Sequence, residues 1–157
     1  MQDIVEGASL NHTLPIYLDR VSDKDRPLLQ QLCYGVLRNF QQLEGCTRQL
    51  LKKPLKAKDR DVQMLLFIGI YQLKDTRIPD HAAVAETVAA SKALKKDWAR
   101  GLVNGVLRQW QRRGEQLLEN LSEAEQCSHP AWLVKTIKSA WPNHSEAIFA
   151  ANNIQAP

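Results

Sequence analysis

The sequence has no apolar stretch long enough to cross a membrane, which takes roughly 18 residues or more. Its start, MQDIVEGASL, has neither the basic front nor the apolar block of a secretory signal. The three cysteines, Cys33, Cys46 and Cys127, are far apart and form no Cys-x-x-Cys pair, which argues against a disulfide framework and a zinc site. Free thiols suit a reducing compartment, so we expect a cytoplasmic protein without metal or membrane partner.

Glycine is scarce as well, and the seven glycines never form a Gly-x-Gly motif. The sequence therefore lacks the phosphate-cradling loop of a nucleotide-binding fold. The four histidines are scattered, without a His-Glu-x-x-His motif or a cluster with cysteine. No run of alternating β-branched residues indicates a strand. We predict no catalytic centre in this chain, which leaves binding as the function to look for.

What the sequence has in abundance is helical periodicity. Apolar residues recur at spacings of three and four over residues 29–40, and Gly35 among them indicates close packing. Residues 60–73 are apolar around so much of a helix circumference that we expect this helix to be central. The helix between them ends before Pro54, because the residue preceding proline avoids helical backbone angles. These patterns predict an all-α fold.

The stretch from residue 78 to residue 113 is predicted to form two helices joined by a short basic connection. Pro79 and Asp80 mark the start of the first helix, and Asp97 is the expected N-cap of the second. Residues 92–113 carry seven basic residues and one acidic residue, whereas the whole chain has a formal charge of only +4.

The second of these helices has an apolar stripe that runs from Trp98 to Trp110. Asn104 lies inside this stripe and is expected to make a buried polar contact. Gly101 and Gly105 sit one turn apart, and each lowers helix stability by about 1 kcal/mol relative to alanine. This cost predicts a tight helix crossing at the two glycines, where any side chain would clash.

After Gly114 the composition changes, and residues 114–157 carry five acidic and two basic residues. Ser122 and Glu125 have the spacing of a capping box, which predicts a helix start. Trp132 and Trp141 are expected on the apolar stripe of a further helix. This part of the chain therefore differs in charge and pattern from the part before it.

Basic residues are concentrated in the middle of the chain, a distribution that is typical of a protein that binds a polyanion. Lysine and arginine contacts to phosphate give nucleic-acid binding that weakens with salt. A solvated surface is the alternative for any one of these side chains, but the excess as a group favours nucleic acid. The predicted RNA-binding residues are Lys52, Lys53, Lys56, Lys58, Arg60, Arg77, Lys92, Lys95, Lys96, Arg100, Arg108, Arg112 and Arg113.

Several segments resemble the Sun/Fmu (RsmB) family of bacterial small-subunit rRNA cytosine-C5 methyltransferases. The segments similar to that family's N-terminal, NusB-like domain are DRPLLQQLCYGVLR (25–38), LLKKPLKAKDRDVQMLLFIGIYQL (50–73), RIPDHAAVAETV (77–88) and ARGLVNGVLRQWQR (99–112). The segments similar to the connector that leads into its catalytic half are HPAWLVKTIKSAWP (129–142) and EAIFAANNIQAP (146–157).

The resemblance implies an all-α, NusB-like RNA-binding bundle over residues 1–121 and a helical connector over residues 122–157. It implies a parent enzyme that methylates small-subunit rRNA with S-adenosylmethionine in a catalytic domain absent from this chain, which itself holds no cofactor. The expected partners are then small-subunit rRNA and the protein's own C-terminal catalytic domain. Cys127 follows Gln126 and not proline, so it does not match the family's Pro-Cys nucleophile motif.

Two alternatives remain open on the sequence. One is a stand-alone NusB-type transcription antitermination factor, which would have no need of the helices over residues 129–157. The other is a protein-interaction or dimerisation module, whose basic face keeps the fold soluble or binds an acidic protein.

Overall fold

The computed structural model describes residues 1–154, and these form ten α-helices and no strand. The helices are α1 (Gln2–Val5), α2 (Leu10–Leu18), α3 (Arg26–Arg38), α4 (Phe40–Leu50), α5 (Arg60–Asp75), α6 (Asp80–Ala93), α7 (Ala99–Glu119), α8 (Glu123–Gln126), α9 (Ala131–Ala140) and α10 (Ser145–Asn153). A 3₁₀ turn, Ala57–Asp59, leads into α5. The predicted all-α fold is confirmed.

Helix α5 lies at the centre of the bundle and packs against α3, α4, α6 and α7. Its side chains Leu66, Phe67 and Ile70 have no solvent exposure, which confirms the predicted central position. Phe67 meets the ring of Phe40 edge to face, with the ring centroids 5.3 Å apart. The apolar circumference of α5 is thus explained by neighbours on several sides.

Two glycines allow the helices around α5 to approach closely. A Cβ atom on Gly35 of α3 would lie 2.0 Å from the Tyr71 ring of α5. A Cβ atom on Gly69 of α5 would lie 2.7 Å from Leu107 of α7. The close packing predicted at Gly35 is confirmed, because only a residue without a side chain fits against the tyrosine ring.

The last three helices have a small apolar cluster of their own, formed by Val134, Ile137 and Phe149. The main cluster ends at Leu121. The prediction that Trp132 and Trp141 lie on the apolar stripe of α9 is wrong, since they are 68% and 56% exposed. The neighbouring helices cover the side of α9 that carries Val134 and Ile137, and they leave both tryptophans in solvent.

Helix α8 begins with a capping box, and the glutamate of that box also forms an ion pair with the main bundle. The Ser122 hydroxyl accepts a hydrogen bond from the Glu125 backbone N–H, and the Glu125 carboxylate accepts one from the Ser122 backbone N–H at 2.9 Å, as predicted. Arg48 of α4 donates to Glu125 at 2.5 Å. Burial alone would raise the pKa of Glu125, but the Ser122 N–H and the Arg48 guanidinium outweigh it and lower that pKa below its ordinary value.

A buried histidine connects the start of α9 to α10. The His129 ring lies 5.0 Å from the Phe149 ring, and its Nδ1 is 2.6 Å from the Cys127 carbonyl oxygen. Asn152 donates to Nε2 at 3.3 Å, so Nδ1 carries the proton and donates to the carbonyl. Asn153 donates to the same Cys127 oxygen at 2.7 Å. These bonds fix the two helices as a pair.

Candidate nucleic-acid interface

Helices α6 and α7 form an antiparallel hairpin that presents one face of α7 to solvent. Near one end, Gln111 of α7 donates to the Asp80 carboxylate of α6 at 3.2 Å. On the buried side, Gln72 of α5 donates to the Thr87 hydroxyl of α6 at 3.1 Å. Helix α6 begins at Asp80, as the sequence predicts. This packing holds the inner face of α7 in place and leaves the outer face free.

The outer face of α7 carries three of the predicted arginines, all of them exposed: Arg100, Arg108 and Arg112. Their spacings of eight and four residues place them on one side of the helix. Asn104 is also exposed, so the prediction of a buried polar contact there is wrong. The buried stripe is centred on Val103, Val106 and Trp110 and turns Asn104 outward.

The start of α7 also differs from the expectation. The N-cap is Trp98 and not Asp97, and no side chain caps the helix. Trp98 is 54% exposed, so its placement on the apolar stripe was wrong, whereas Trp110 is buried. At 100° per residue, Trp98 lies roughly 110° around the helix from the centre of the buried stripe. This angle is the sequence signal that would have predicted an exposed Trp98. It is the exposed aromatic ring closest in sequence to the predicted basic residues, beside Lys96.

Lys96 is bound within the fold. Its ammonium donates to Asp61 at 2.6 Å and to the Lys58 carbonyl oxygen at 2.8 Å, and it pairs with Asp59 at 3.0 Å. The hydrogen bond to Asp61 raises the pKa of Lys96 above its ordinary value. This cluster ties the turn before α5 to the connection before α7. It therefore brings the Lys58–Arg60 segment beside the Lys95–Arg100 segment.

The other twelve predicted residues form no ion pair within residues 1–154. Eleven of them are exposed, and Arg60 is half-buried. We call these twelve residues the basic surface: Lys52, Lys53, Lys56, Lys58, Arg60, Arg77, Lys92, Lys95, Arg100, Arg108, Arg112 and Arg113. Because these side chains form no ion pair within this range, their charges are available to phosphate groups.

Part of the basic surface lies beside the amino-terminal half of α7. Lys52 and Lys53 follow the end of α4 and line a groove whose other wall is α7, with Gly101 and Gly105 on that wall. The predicted tight helix crossing at these glycines is wrong, since nothing lies within 4 Å of a Cβ atom built on either one. The glycines face open space because the neighbouring helices pack on the opposite side of α7.

The remaining members lie toward the far end of α7 or are separate from it. Arg112 and Arg113 line a second cavity of about 550 Å³ together with Lys74 and two acidic residues, Asp80 and Glu115. Arg77 lies in the short connection that leads into Asp80. Lys56 and Lys92 are exposed on other elements and do not line the groove. The basic surface thus includes four residues of α7 and eight residues of other elements, and it does not form one compact patch.

The model of the NusB family matches residues 1–112 of the chain. The chain belongs to the NusB family. Beyond this NusB-family part, a model of the ferredoxin-like domain of RsmF/B-like methyltransferases matches residues 129–157. The second match covers the segment that contains α9 and α10.

Three curated relatives are all called ribosomal RNA small subunit methyltransferase B. The one from Pectobacterium carotovorum subsp. carotovorum (strain PC1) is 50% identical over 159 residues, which covers 99% of this chain and 37% of the relative. The one from Pseudomonas putida (strain KT2440) is 51% identical over 152 residues, covering 96% and 35%. The one from Escherichia coli O17:K52:H18 is 45% identical over 157 residues, covering 99% and 37%. The NusB-family chain therefore spans little more than a third of their length.

The NusB-family part offers no fitting cradle for S-adenosylmethionine. Six of the seven glycines lie inside helices, and Gly7 follows a one-turn helix. A glycine-rich turn between a strand and a helix, the usual cofactor loop, has no counterpart within residues 1–154.

Residues 1–154 hold no group of three histidine, cysteine, aspartate or glutamate side chains that could bind a metal ion. None of their helices is both long and apolar enough to span a membrane.

Proposed function

We propose that this chain is the rRNA-binding part of an S-adenosylmethionine-dependent methyltransferase that modifies cytosine in small-subunit rRNA. The observation that carries the proposal is the basic surface: twelve cationic side chains without ion pairs within residues 1–154, four on α7 and eight on the elements and connections before it. Contacts of such side chains with phosphate give affinity without reading sequence. The 45–51% identity to relatives named ribosomal RNA small subunit methyltransferase B supplies the substrate class.

In this proposal the chemistry belongs to the part of the relatives that this chain does not span. The basic surface supplies binding energy at a distance from the reacting cytosine, which holds the rRNA in register for the catalytic domain. The partners are then small-subunit rRNA and the protein's own C-terminal catalytic domain, in the cytoplasm. We place the boundary of the RNA-binding domain after residue 121, where the main apolar cluster ends.

A salt-dependent titration tests the proposal. Fluorescence anisotropy with labelled helices and loops of small-subunit rRNA should give a Kd in the micromolar range or tighter at low salt. The logarithm of the affinity should then fall linearly with the logarithm of salt concentration, by about 0.9 per phosphate contacted on a duplex. The double variant Arg108→Gln/Arg112→Gln should lower this slope by roughly 1.8.

The matched control removes the same charge elsewhere. Lys24 and Lys135 are exposed and lie outside the basic surface, so Lys24→Gln/Lys135→Gln should leave the slope nearly unchanged. Absence of binding at low salt, or a slope near zero, would contradict the proposal. A stable dimer that is indifferent to RNA in sedimentation would favour a protein-interaction module instead.

A further inference from the structure

A groove runs between the segment that follows α4 and the amino-terminal half of α7. Its volume is about 640 Å³. Lys52 and Lys53 line it on one side, and Gly101 and Gly105 line it on the other. None of the residues that line the groove is acidic. A polyanion can therefore approach it without meeting a like charge.

The side of α7 that borders the groove continues as a cationic track. Gly101, Gly105, Arg108 and Arg112 follow one another at spacings of four, three and four residues, so they lie on one face of the helix. From Gly101 to Arg112 the helix rises about 16 Å. The charges of Arg108 and Arg112 are not paired with any carboxylate within residues 1–154. Beyond the groove, this face of α7 thus carries two guanidinium groups that form no ion pair in the described part of the chain, of which Arg108 donates to the Gln111 side chain at 3.2 Å.

The inner surface of the groove is apolar. It is formed by Leu51 and Leu55, which follow α4, and by Leu102 and Val106 of α7. A duplex presents phosphates and hydroxyl groups, and it does not present base faces to an apolar surface. An unpaired strand can turn its bases toward apolar side chains while its phosphates stay with the lysines.

The backbone of α7 is uncovered where the groove is lined by glycine. Nothing lies within 4 Å of a Cβ atom built on Gly101 or Gly105, so no contact within residues 1–154 requires either glycine. An occupant can approach the helix backbone there more closely than at any residue with a side chain.

We propose that this groove binds an unpaired RNA strand, with its bases against the apolar wall and the glycines and its phosphates on Lys52, Lys53, Arg108 and Arg112. The inference rests on the proposed rRNA-binding function and narrows it to single-stranded rRNA segments. The bound strand runs along α7 from the glycines toward the two arginines.

The test compares the whole chain and its variants on an unstructured RNA of about 12 nucleotides and on a duplex of the same sequence. The wild-type chain should prefer the single strand. Gly105→Gln fills the open space beside α7 and should weaken single-strand binding by roughly fivefold or more. The same variant should raise the Tm by about 2–4 °C, because glutamine is a better helix former and meets no neighbour. A loss of binding in a more stable protein cannot result from unfolding.

The lysines are tested by the salt slope. Lys52→Gln/Lys53→Gln should lower it by about 1.4 on single-stranded RNA, and the control pair Lys24→Gln/Lys135→Gln should not. Unchanged affinity of Gly105→Gln, or equal binding of duplex and single strand, would overturn the groove assignment while leaving the proposed function intact. If the wild-type chain binds no RNA at low salt, the proposed function fails and the groove assignment fails with it. A dimer that forms without RNA and dissociates in Gly105→Gln would assign the groove to a second copy of the chain and so overturn the inference.

Discussion

The contact between Gly35 and Tyr71 gives the sharpest prediction about stability. Gly35→Ala adds one methyl group in the middle of α3 at a position where the Cβ atom would lie 2.0 Å from Cζ of Tyr71. Non-bonded carbon atoms rest at about 3.5–4.0 Å. The tyrosine ring would therefore have to move by about 1.5–2 Å, although only 6% of Tyr71 is exposed.

The net effect is the difference of two opposing contributions. Alanine favours the helix by about 1 kcal/mol relative to glycine. Overpacking a buried site costs about 1–3 kcal/mol, and the short distance here argues for the upper end. We expect Gly35→Ala to lower the free energy of unfolding by about 2 kcal/mol, which corresponds to a Tm lower by about 4–8 °C for a chain of this size. Urea unfolding followed by circular dichroism measures this directly.

Two comparisons separate the clash from other causes. Gly105→Ala, where nothing lies within 4 Å of the new Cβ, should raise the free energy of unfolding by about 1 kcal/mol. Adding Gly35→Ala to a Tyr71→Ala background should no longer destabilise, since the ring is gone. If Gly35→Ala is neutral or stabilising with Tyr71 present, the packing of α3 against α5 is not as described.

Three further predictions concern the charge, thiol and core contacts of the bundle. Because its pKa is lowered in the fold, Glu125 stabilises the chain above the ordinary carboxyl pKa, so Glu125→Gln should cost about 1 kcal/mol at neutral pH. Urea titrations should show this difference vanishing as the pH falls through the folded pKa of Glu125, and a difference that persists in acid would contradict it. Burial raises the pKa of the Cys46 thiol to about 11, so iodoacetamide should leave Cys46 unmodified in the native chain at mildly alkaline pH and modify it in urea; native-state labelling would refute this. Phe67→Ala should lower the free energy of unfolding by about 3–5 kcal/mol in the same urea assay, and a loss below about 1 kcal/mol would show that Phe67 is not a core residue.

The helices could be predicted because their signals are local. Periodicity placed a central helix over residues 60–73, and α5 runs from Arg60 to Asp75. The Ser122–Glu125 spacing gave the capping box because both hydrogen bonds form within one turn. Gly35 could be assigned to close packing because it lies within the buried stripe of its own helix, which must face a neighbour.

The wrong predictions concern helix faces whose exposure depends on which other helix packs against them, because the sequence pattern of one helix does not show its neighbours. Gly101 and Gly105 have the spacing of a helix crossing, but the stripe of α7 turns them toward solvent, and no helix within residues 1–154 crosses there. Trp132 and Trp141 are large apolar residues at the spacing of a stripe, yet the cluster around Phe149 covers a different side of α9. Single-helix periodicity cannot decide between these cases, because burial is determined by the packing of other elements.

The sequence could predict which residues belong to the basic surface, but it could not predict how they are arranged in space. The sequence identified the thirteen residues by charge alone, and it could not show that Lys96 is engaged by Asp59 and Asp61. Nor could it show that Lys52 and Lys53 face α7 across a groove, since about 50 residues separate these positions along the chain. Contacts between such distant segments depend on the whole fold.

The most direct test of the central claim is a map of backbone amide shifts on adding single-stranded small-subunit rRNA to the chain. We predict that the perturbed amides lie in residues 52–55 and along the outer face of α7 from Arg100 to Arg112, while α9 and α10 stay unchanged. Perturbations confined to the last three helices, or spread evenly over the exterior, would contradict the assignment of α7 and its groove as the RNA-binding face.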